Sequence, residues 1–368
     1  MVFDFFRNTL SKITPYIPGK SIAEVTESLG ITDVIKLASN ENPLGCPVKL
    51  NHLANTFKKI HYYPHQESAP LIQKLSEKFG VNKSQIVLGN GSDEIIQMIA
   101  GIFLNPDDEI ITSKHTFSVY QFVAYLFDAS VIEVPMQSYR YDLEAILNAV
   151  TPKTRLIFIA NPNNPTGTII THDEITELLN RLDPKIIVVL DEAYAEYVDS
   201  PYYPRATELM RSHHNLILLR TFSKIYGLAG LRVGYGIGSE EIIRAMQKIR
   251  QPFNLNSLAL KAGELALDEA SHIERSLILN KKSKIFLYKE LDRLGLNYLK
   301  SEANFICIFL PISGKEAMDR LLHEGIIVRP LESFKIENAI RVTTGTLPQN
   351  KRFIQALTKI LAPKGDDE

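Results

Sequence analysis

The stretch IIVVLDEAYAEY, residues 186–197, decides the fold. Five apolar residues without a polar interruption read as a strand covered on both faces by helices, the central position of a largely parallel sheet. The acid that ends the run, Asp191, is costly there unless it meets a cation or a strong hydrogen-bond donor. A salt bridge to a neighbouring arginine would serve. So would a protonated pyridine nitrogen, which a facing aspartate keeps cationic and able to accept electrons. Tyr194, three residues on, would then address another polar edge of the same ligand.

Working outward, the sequence from Ser84 to Arg220 alternates short β-rich runs with amphipathic stretches, the pattern of stacked βα units in an α/β fold. Strands are predicted at 86–88, 109–112, 155–160, 186–190 and 216–219. Between the third and fourth, Thr171 followed by Glu174 makes a capping box that opens a crossover helix with Ile175, Leu178 and Leu179 on one side. After Phe253 the pattern changes to long helical stretches at 258–268 and 273–294, then short strands near 304–309 and 340–343. The expected architecture is a large unit with a mostly parallel central sheet between helices, residues 36–255, and a smaller α+β unit, residues 256–368. Residues 1–35, with Pro15, Pro18 and Gly19 and no clear period, read as an arm lying over a surface or a neighbouring subunit.

In open parallel sheets ligands bind outside the carboxyl ends of the strands, so the residues that follow each strand carry the chemistry. Here they are GNGSDE (89–94), SKHTFSVY (113–120), NPNNPTG (161–167), DEAYAEY (191–197) and RTFSKIYGLAGLRVGY (220–235). Gly89 and Gly91 allow a tight turn, and Ser92 and Asp93 open a helix whose free N–H groups suit a phosphate. A dinucleotide fingerprint would need a third glycine where Glu94 stands, and no Gly-Lys-Ser/Thr sequence makes a P-loop. Lys224 follows an apolar strand and precedes a glycine-rich stretch. With Thr221, Ser223 and Arg232 beside it, the segment offers one nucleophilic amine, one fixed cation and two hydroxyls suited to a phosphate.

Composition narrows the classes. Lys plus Arg number 41 against 42 Asp plus Glu, a formal charge of -1, so the basic excess of a nucleic-acid binder is missing and small-molecule chemistry is favoured. Cys46 and Cys307 lie far apart with no metal-ligand spacing, and His61, His65, His213 and His214 form none either, so no disulfide framework or metal site is expected. The amino terminus, with Asp4 and no long apolar core, does not read as a secretory signal, and no apolar run is long enough for a bilayer. A cytoplasmic enzyme forming one continuous body is expected, with a frayed acidic end at 365–368.

In order along the chain, Asn164, Asp191, Tyr194, Lys224 and Arg232 resemble the set found in the fold-type I, or aspartate-aminotransferase-like, pyridoxal-phosphate enzymes. The resemblance runs from about Lys36 to Thr346. Eight segments carry it: LASNENPLG, HYYP, GNGSDE, TFSVY, NPNNPTG, DEAYAEY, TFSKIYGLAGLRVGY and IRVTTGT. Within the superfamily they look most like the histidinol-phosphate aminotransferase family.

The resemblance implies that Lys224 holds pyridoxal 5'-phosphate as a Schiff base and shuttles protons, and that Asp191 pairs with the pyridine nitrogen. Asn164 and Tyr194 would bond the ring oxygen, lowering the proton affinity of that link. Ser92 and Asp93 through their backbone, with Thr221, Ser223 and Arg232, would hold the phosphate. Phe117 would stack on the ring where many relatives have tyrosine.

Tyr63 matches a residue that reaches the neighbouring subunit's site, implying a homodimer. Arg341 matches the arginine that grips the substrate's acidic group, with Arg329, Tyr16 and Asn164 helping to recognise substrate. The implied substrates are histidinol phosphate and 2-oxoglutarate or glutamate. An aromatic amino-acid aminotransferase, a phosphothreonine-type decarboxylase of the same fold, and a nicotinamide-dependent oxidoreductase are the rival readings.

Overall fold

The computed structural model describes residues 6–15, 19–64 and 69–362; Tyr16, His65 and the acidic end at 365–368 lie outside them. In chain order the strands are β1 (Ile35–Lys36), β2 (Ile86–Asn90), β3 (Glu109–Ser113), β4 (Ser130–Val134), β5 (Met136–Gln137) and β6 (Arg140–Tyr141). Next come β7 (Thr154–Ala160), β8 (Ile187–Asp191), β9 (Leu216–Thr221) and β10 (Val233–Ile237). The C-terminal strands are β11 (Phe305–Phe309), β12 (Ile326–Ile327), β13 (Arg329–Pro330) and β14 (Ala339–Thr343).

Seven strands form the central sheet in the order β2-β10-β9-β8-β7-β3-β4, with β8 in the middle. The pairs β9/β8, β8/β7, β7/β3 and β3/β4 are parallel, whereas β10 runs antiparallel to both β2 and β9. All five strands expected between Ser84 and Arg220 are present. β4 and β10 were not foreseen, because Ser130–Val134 carries Glu133 and VGYGI carries two glycines, so neither shows an uninterrupted apolar run.

β8 is buried along its whole length because its side chains alternate between two cores. Ile187 and Val189 join Val87, Ile110, Phe158 and Leu219 on one face, while Val188 and Leu190 join Leu88, Ile111, Ile157 and Leu218 on the other. Helices Gly91–Phe103, Val119–Leu126 and Glu240–Ile249 supply Ile96, Val123 and Met246 to the first face. Helices Ala69–Phe79, His172–Arg181 and Ser257–Ala266 supply Leu75, Leu178 and Ala262 to the second. The crossover helix starts as expected: the Thr171 hydroxyl accepts from the Glu174 N–H while the Glu174 carboxylate accepts from the Thr171 N–H.

A separate core lies among β11, β14 and the long helices Ala270–Arg293 and Leu347–Leu361, and includes Leu287, Ile306, Val342 and Phe353. These strands form a three-stranded antiparallel sheet in the order β11-β14-β13. β1 pairs with β12, and Val25 of helix Ile22–Leu29 packs with Ala38, Leu322 and Ile327. No helix among the described residues is long and apolar enough to cross a membrane.

Because Leu218 is almost fully buried in the middle of β9, Leu218→Ala is expected to remove ~2–5 kcal/mol of stability by chemical denaturation. A loss under about 0.5 kcal/mol, the range of exposed substitutions, would contradict its placement between packed layers.

Candidate active site

The parallel strands end on one side of the sheet, and antiparallel β10 begins there, so Arg232 stands beside the carboxyl ends of β2 and β9. One cavity of about 240 Å³ opens at this edge. Ser92, Asp93, Phe117, Asn164, Asp191, Tyr194, Thr221, Ser223, Lys224, Arg232, Arg329 and Arg341, all singled out in the sequence, line it. Tyr63 does not: its ring is 81% exposed and stacks on Phe253 at 4.5 Å between centroids.

At one end of the cavity the helix Gly91–Phe103 begins, with Gly91 at a φ of 76° and its N–H donating to the Arg232 carbonyl at 2.9 Å. The N–H groups of Ser92 and Asp93 fall in the first turn, where a helix offers no internal acceptor. Arg232 reaches the same place from a left-handed backbone, its Nη2 3.2 Å from the Asp93 carboxylate and its Nη1 donating to Ser223 Oγ at 3.3 Å. Side chains are excluded here by contact: a Cβ on Gly91 would lie 2.5 Å from Arg232 Nη2, and one on Gly234 would lie 2.5 Å from the Ser92 nitrogen. Helix amides, a guanidinium and two hydroxyls around a cradle that a methyl group would fill are a donor set for a phosphate.

Asp191, in the same wall, is buried, its Oδ2 accepting from the Tyr120 hydroxyl at 2.8 Å and its Oδ1 from the Ala193 N–H at 3.2 Å. Burial pushes this carboxyl up to about 6, against the opposing pull of the Tyr120 bond. Among the described residues no arginine pairs with it; Arg220, the guanidinium on the neighbouring strand, bridges instead to Glu192 at 2.7 Å. Tyr120 is itself fixed by stacking on Phe158 at 4.8 Å and by the edge of Phe117 at 5.7 Å. A buried carboxylate and a phosphate-type donor set in one cavity suit a flat ring that carries a basic nitrogen and a phosphate.

In the same wall, Lys224 Nζ donates to the Ser39 carbonyl at 3.3 Å and lies 5.5 Å from the centroid of the Tyr194 ring. Asn164 accepts from Arg341 Nη1, and Arg341 Nη2 donates to the Ala38 carbonyl at 2.6 Å. Arg341 is therefore a buried residue of the cavity wall. Arg329 stands opposite Arg341 in the β13/β14 register.

Sequence reasoning missed four contributors to this wall. Tyr120 lay in the quoted segment TFSVY and Ser39 and Asn40 in LASNENPLG, but neither segment says which polar side chain crosses to which partner. Phe334, also in the wall, gives no sequence signal. Among the described residues no cluster of His, Cys, Asp and Glu could hold a metal.

The chain belongs to the aminotransferase class I and II family, whose model matches residues 32–357. Within that family it is 45% identical to the histidinol-phosphate aminotransferase of Moorella thermoacetica, over 97% of this chain and 93% of the relative. It is also 45% identical to that of Caldicellulosiruptor saccharolyticus, over 97% of this chain and all of the relative. The histidinol-phosphate aminotransferase of Sinorhizobium meliloti, solved in complex with pyridoxal-5'-phosphate, superposes with a TM-score of 0.88 at 25% identity over 98% of both chains. The aspartate aminotransferase of Thermotoga maritima shares the fold, with a TM-score of 0.85 at 20% identity over 97% of this chain and all of that one.

The buried carboxylate sets a pH dependence in the ligand-free protein. Asp191 holds its proton more tightly folded than unfolded, so its stabilising contribution is complete below about pH 4 and is lost as the pH rises through about 6. Asp191→Asn should therefore be the more stable protein at about pH 8, by up to ~3 kcal/mol, and should match wild type at about pH 4. Superimposable stability profiles for the two proteins would show that the charge is not desolvated.

Proposed function

We propose that this chain is a pyridoxal-phosphate-dependent histidinol-phosphate aminotransferase of histidine biosynthesis. Histidinol phosphate and 2-oxoglutarate exchange an amino group for a keto oxygen, giving imidazole-acetol phosphate and glutamate with no net oxidation. The observation that carries the reading is that Lys224 and Asp191, from the ends of two different strands, share one cavity with a phosphate cradle. The relatives' activity supports the choice of substrate.

When bound, pyridoxal phosphate supplies an electron-poor ring that accepts the electron pair left when a C–H bond beside the amino group breaks. Lys224 would hold it and would carry the proton away from and back to the reacting carbons, acting as base and then as acid. Asp191 would face the ring nitrogen, where a cation offsets its buried charge. Asn164 and Tyr194 would face the ring oxygen and Phe117 the ring face. Ser92, Asp93, Thr221, Ser223 and Arg232 would grip the phosphate.

Arg341 and Arg329 would receive the acidic group of each substrate, carboxylate or phosphate. Arg329 and Arg341 stand opposite each other in the β13/β14 register, so one anionic group would be gripped by both. Tyr16 would assist from outside the described residues. The same reading divides the chain into an arm at 1–35, a large cofactor unit at 36–255 and a small unit at 256–368, with helix Ser257–Ala266 packing back on the large core. A cytoplasmic homodimer would be the working form, with exposed Tyr63 reaching the partner's phosphate site.

Lys224→Ala should lose the visible absorption of the bound cofactor and turnover together; a variant that kept full activity would refute the assignment. Offered 2-oxoglutarate, the enzyme should turn over histidinol phosphate with kcat/KM at least ~100-fold above phenylalanine, the order of discrimination expected when a site that bonds a phosphate and an imidazole meets a substrate with neither. Equal values would make it an aromatic aminotransferase.

A further inference from the structure

Three consecutive residues each hold one of the side chains assigned above. The Ala38 carbonyl accepts from Arg341 at 2.6 Å and the Ser39 carbonyl accepts from Lys224 at 3.3 Å. Asn40 Nδ2 donates to the Tyr194 hydroxyl oxygen at 2.8 Å. The third contact differs from the others because a side-chain amide makes it, and an amide N–H can only donate.

We propose that Asn40 is a positioning residue that aims the hydrogen of the Tyr194 hydroxyl into the cavity. This deepens the proposed function, since it rests on the reading of Tyr194 as the donor to the cofactor's ring oxygen. A phenol has one hydrogen to give and room to accept. With its acceptor side taken by Asn40, Tyr194 must point its own hydrogen elsewhere, and both residues line the cavity. A hydroxyl that is already accepting a bond is also the stronger donor.

The surroundings fix the amide. Asn40 is 1% exposed and holds a left-handed backbone with a φ of 56°, a conformation asparagine tolerates. Its N–H donates to Thr343 Oγ1 at 2.9 Å, and its carbonyl accepts from Asn304 Nδ2 at 3.0 Å. The Thr343 hydroxyl, having accepted from that N–H, gives its own hydrogen to Asn40 Oδ1 at 3.2 Å. That last bond determines which end of the amide faces Tyr194. Thr343 lies on β14, two residues beyond Arg341, so the strand that carries the substrate-binding arginine also sets the direction of the tyrosine's hydrogen.

The test uses full-length protein with Asn40→Asp and Asn40→Gly, each alone and combined with Tyr194→Phe. The readouts are the Kd for pyridoxal phosphate by fluorescence quenching, the pH midpoint of the bound cofactor's visible band, and kcat against KM. Asp93, Asp191, Arg232, Arg329 and Arg341 also face the cavity and are the same in every variant. Aspartate replaces the donor with an acceptor, so Tyr194 turns to it; the midpoint should rise by about one pH unit and kcat should fall more than KM changes.

The glycine variant keeps the positive-φ backbone and both backbone bonds, so it remains informative where the aspartate variant fails to fold. It should shift the midpoint in the same direction by less. Its Kd should weaken by a few fold, on the order of one lost hydrogen bond. In the Tyr194→Phe background neither substitution should move the midpoint. A shift that persists there is a charge effect and overturns the proposal, as does an unchanged midpoint in both single variants. A wild-type protein that shows no titrating band with pyridoxal phosphate overturns the proposed function, and this inference with it.

Discussion

A buried carboxylate at the end of the central strand constrains everything around it. Asp191 stops an apolar run, and among the described residues no arginine pairs with it, so its desolvation has to be offset by donors brought from elsewhere. Tyr120 can serve only because helix Val119–Leu126 packs on the face of the sheet that Phe158 belongs to, where the two rings stack. Even with that bond the carboxyl stays raised to about 6, so the ligand-free protein carries an electrostatic cost at neutral pH that a bound cation relieves. Part of the binding energy for a basic ring is thus stored in the fold before the ligand arrives.

The second constraint is how tightly the chain must pass at the start of helix Gly91–Phe103. β10 enters the sheet against the direction of its neighbours, and this reversal puts Arg232 at the same edge as the ends of the parallel strands. Gly234 lets β10 pass within van der Waals distance of the Gly91–Ser92 peptide, and Gly91 leaves room for the guanidinium. The phosphate cradle is therefore a packing solution as much as an electrostatic one.

These two constraints explain what could be read in the sequence and what could not. β8 and its parallel neighbours were legible because burial on both faces demands continuous apolar runs, and the polar residues just after them had to mark the crevice. β10 was not legible because the glycines that let it fit are residues that argue against a strand. Arg341 was visible only through family resemblance, since its place in the wall depends on β14 pairing with β11 and β13. Asn40 and Tyr120 were missed for a related reason. Their partners Tyr194, Thr343 and Asp191 lie 154, 303 and 71 residues away in sequence, and no local pattern encodes such crossings.

Charge follows the same logic of local placement. The chain as a whole has a formal charge of -1, yet the cavity wall holds Lys224, Arg232, Arg329 and Arg341 against only Asp93 and Asp191. The arginines stand at two stations, Arg232 by the helix start and the Arg329–Arg341 pair on the β13/β14 sheet. On the proposed reading the cofactor's phosphate takes the first station whatever substrate follows, so discrimination among substrates falls to the second.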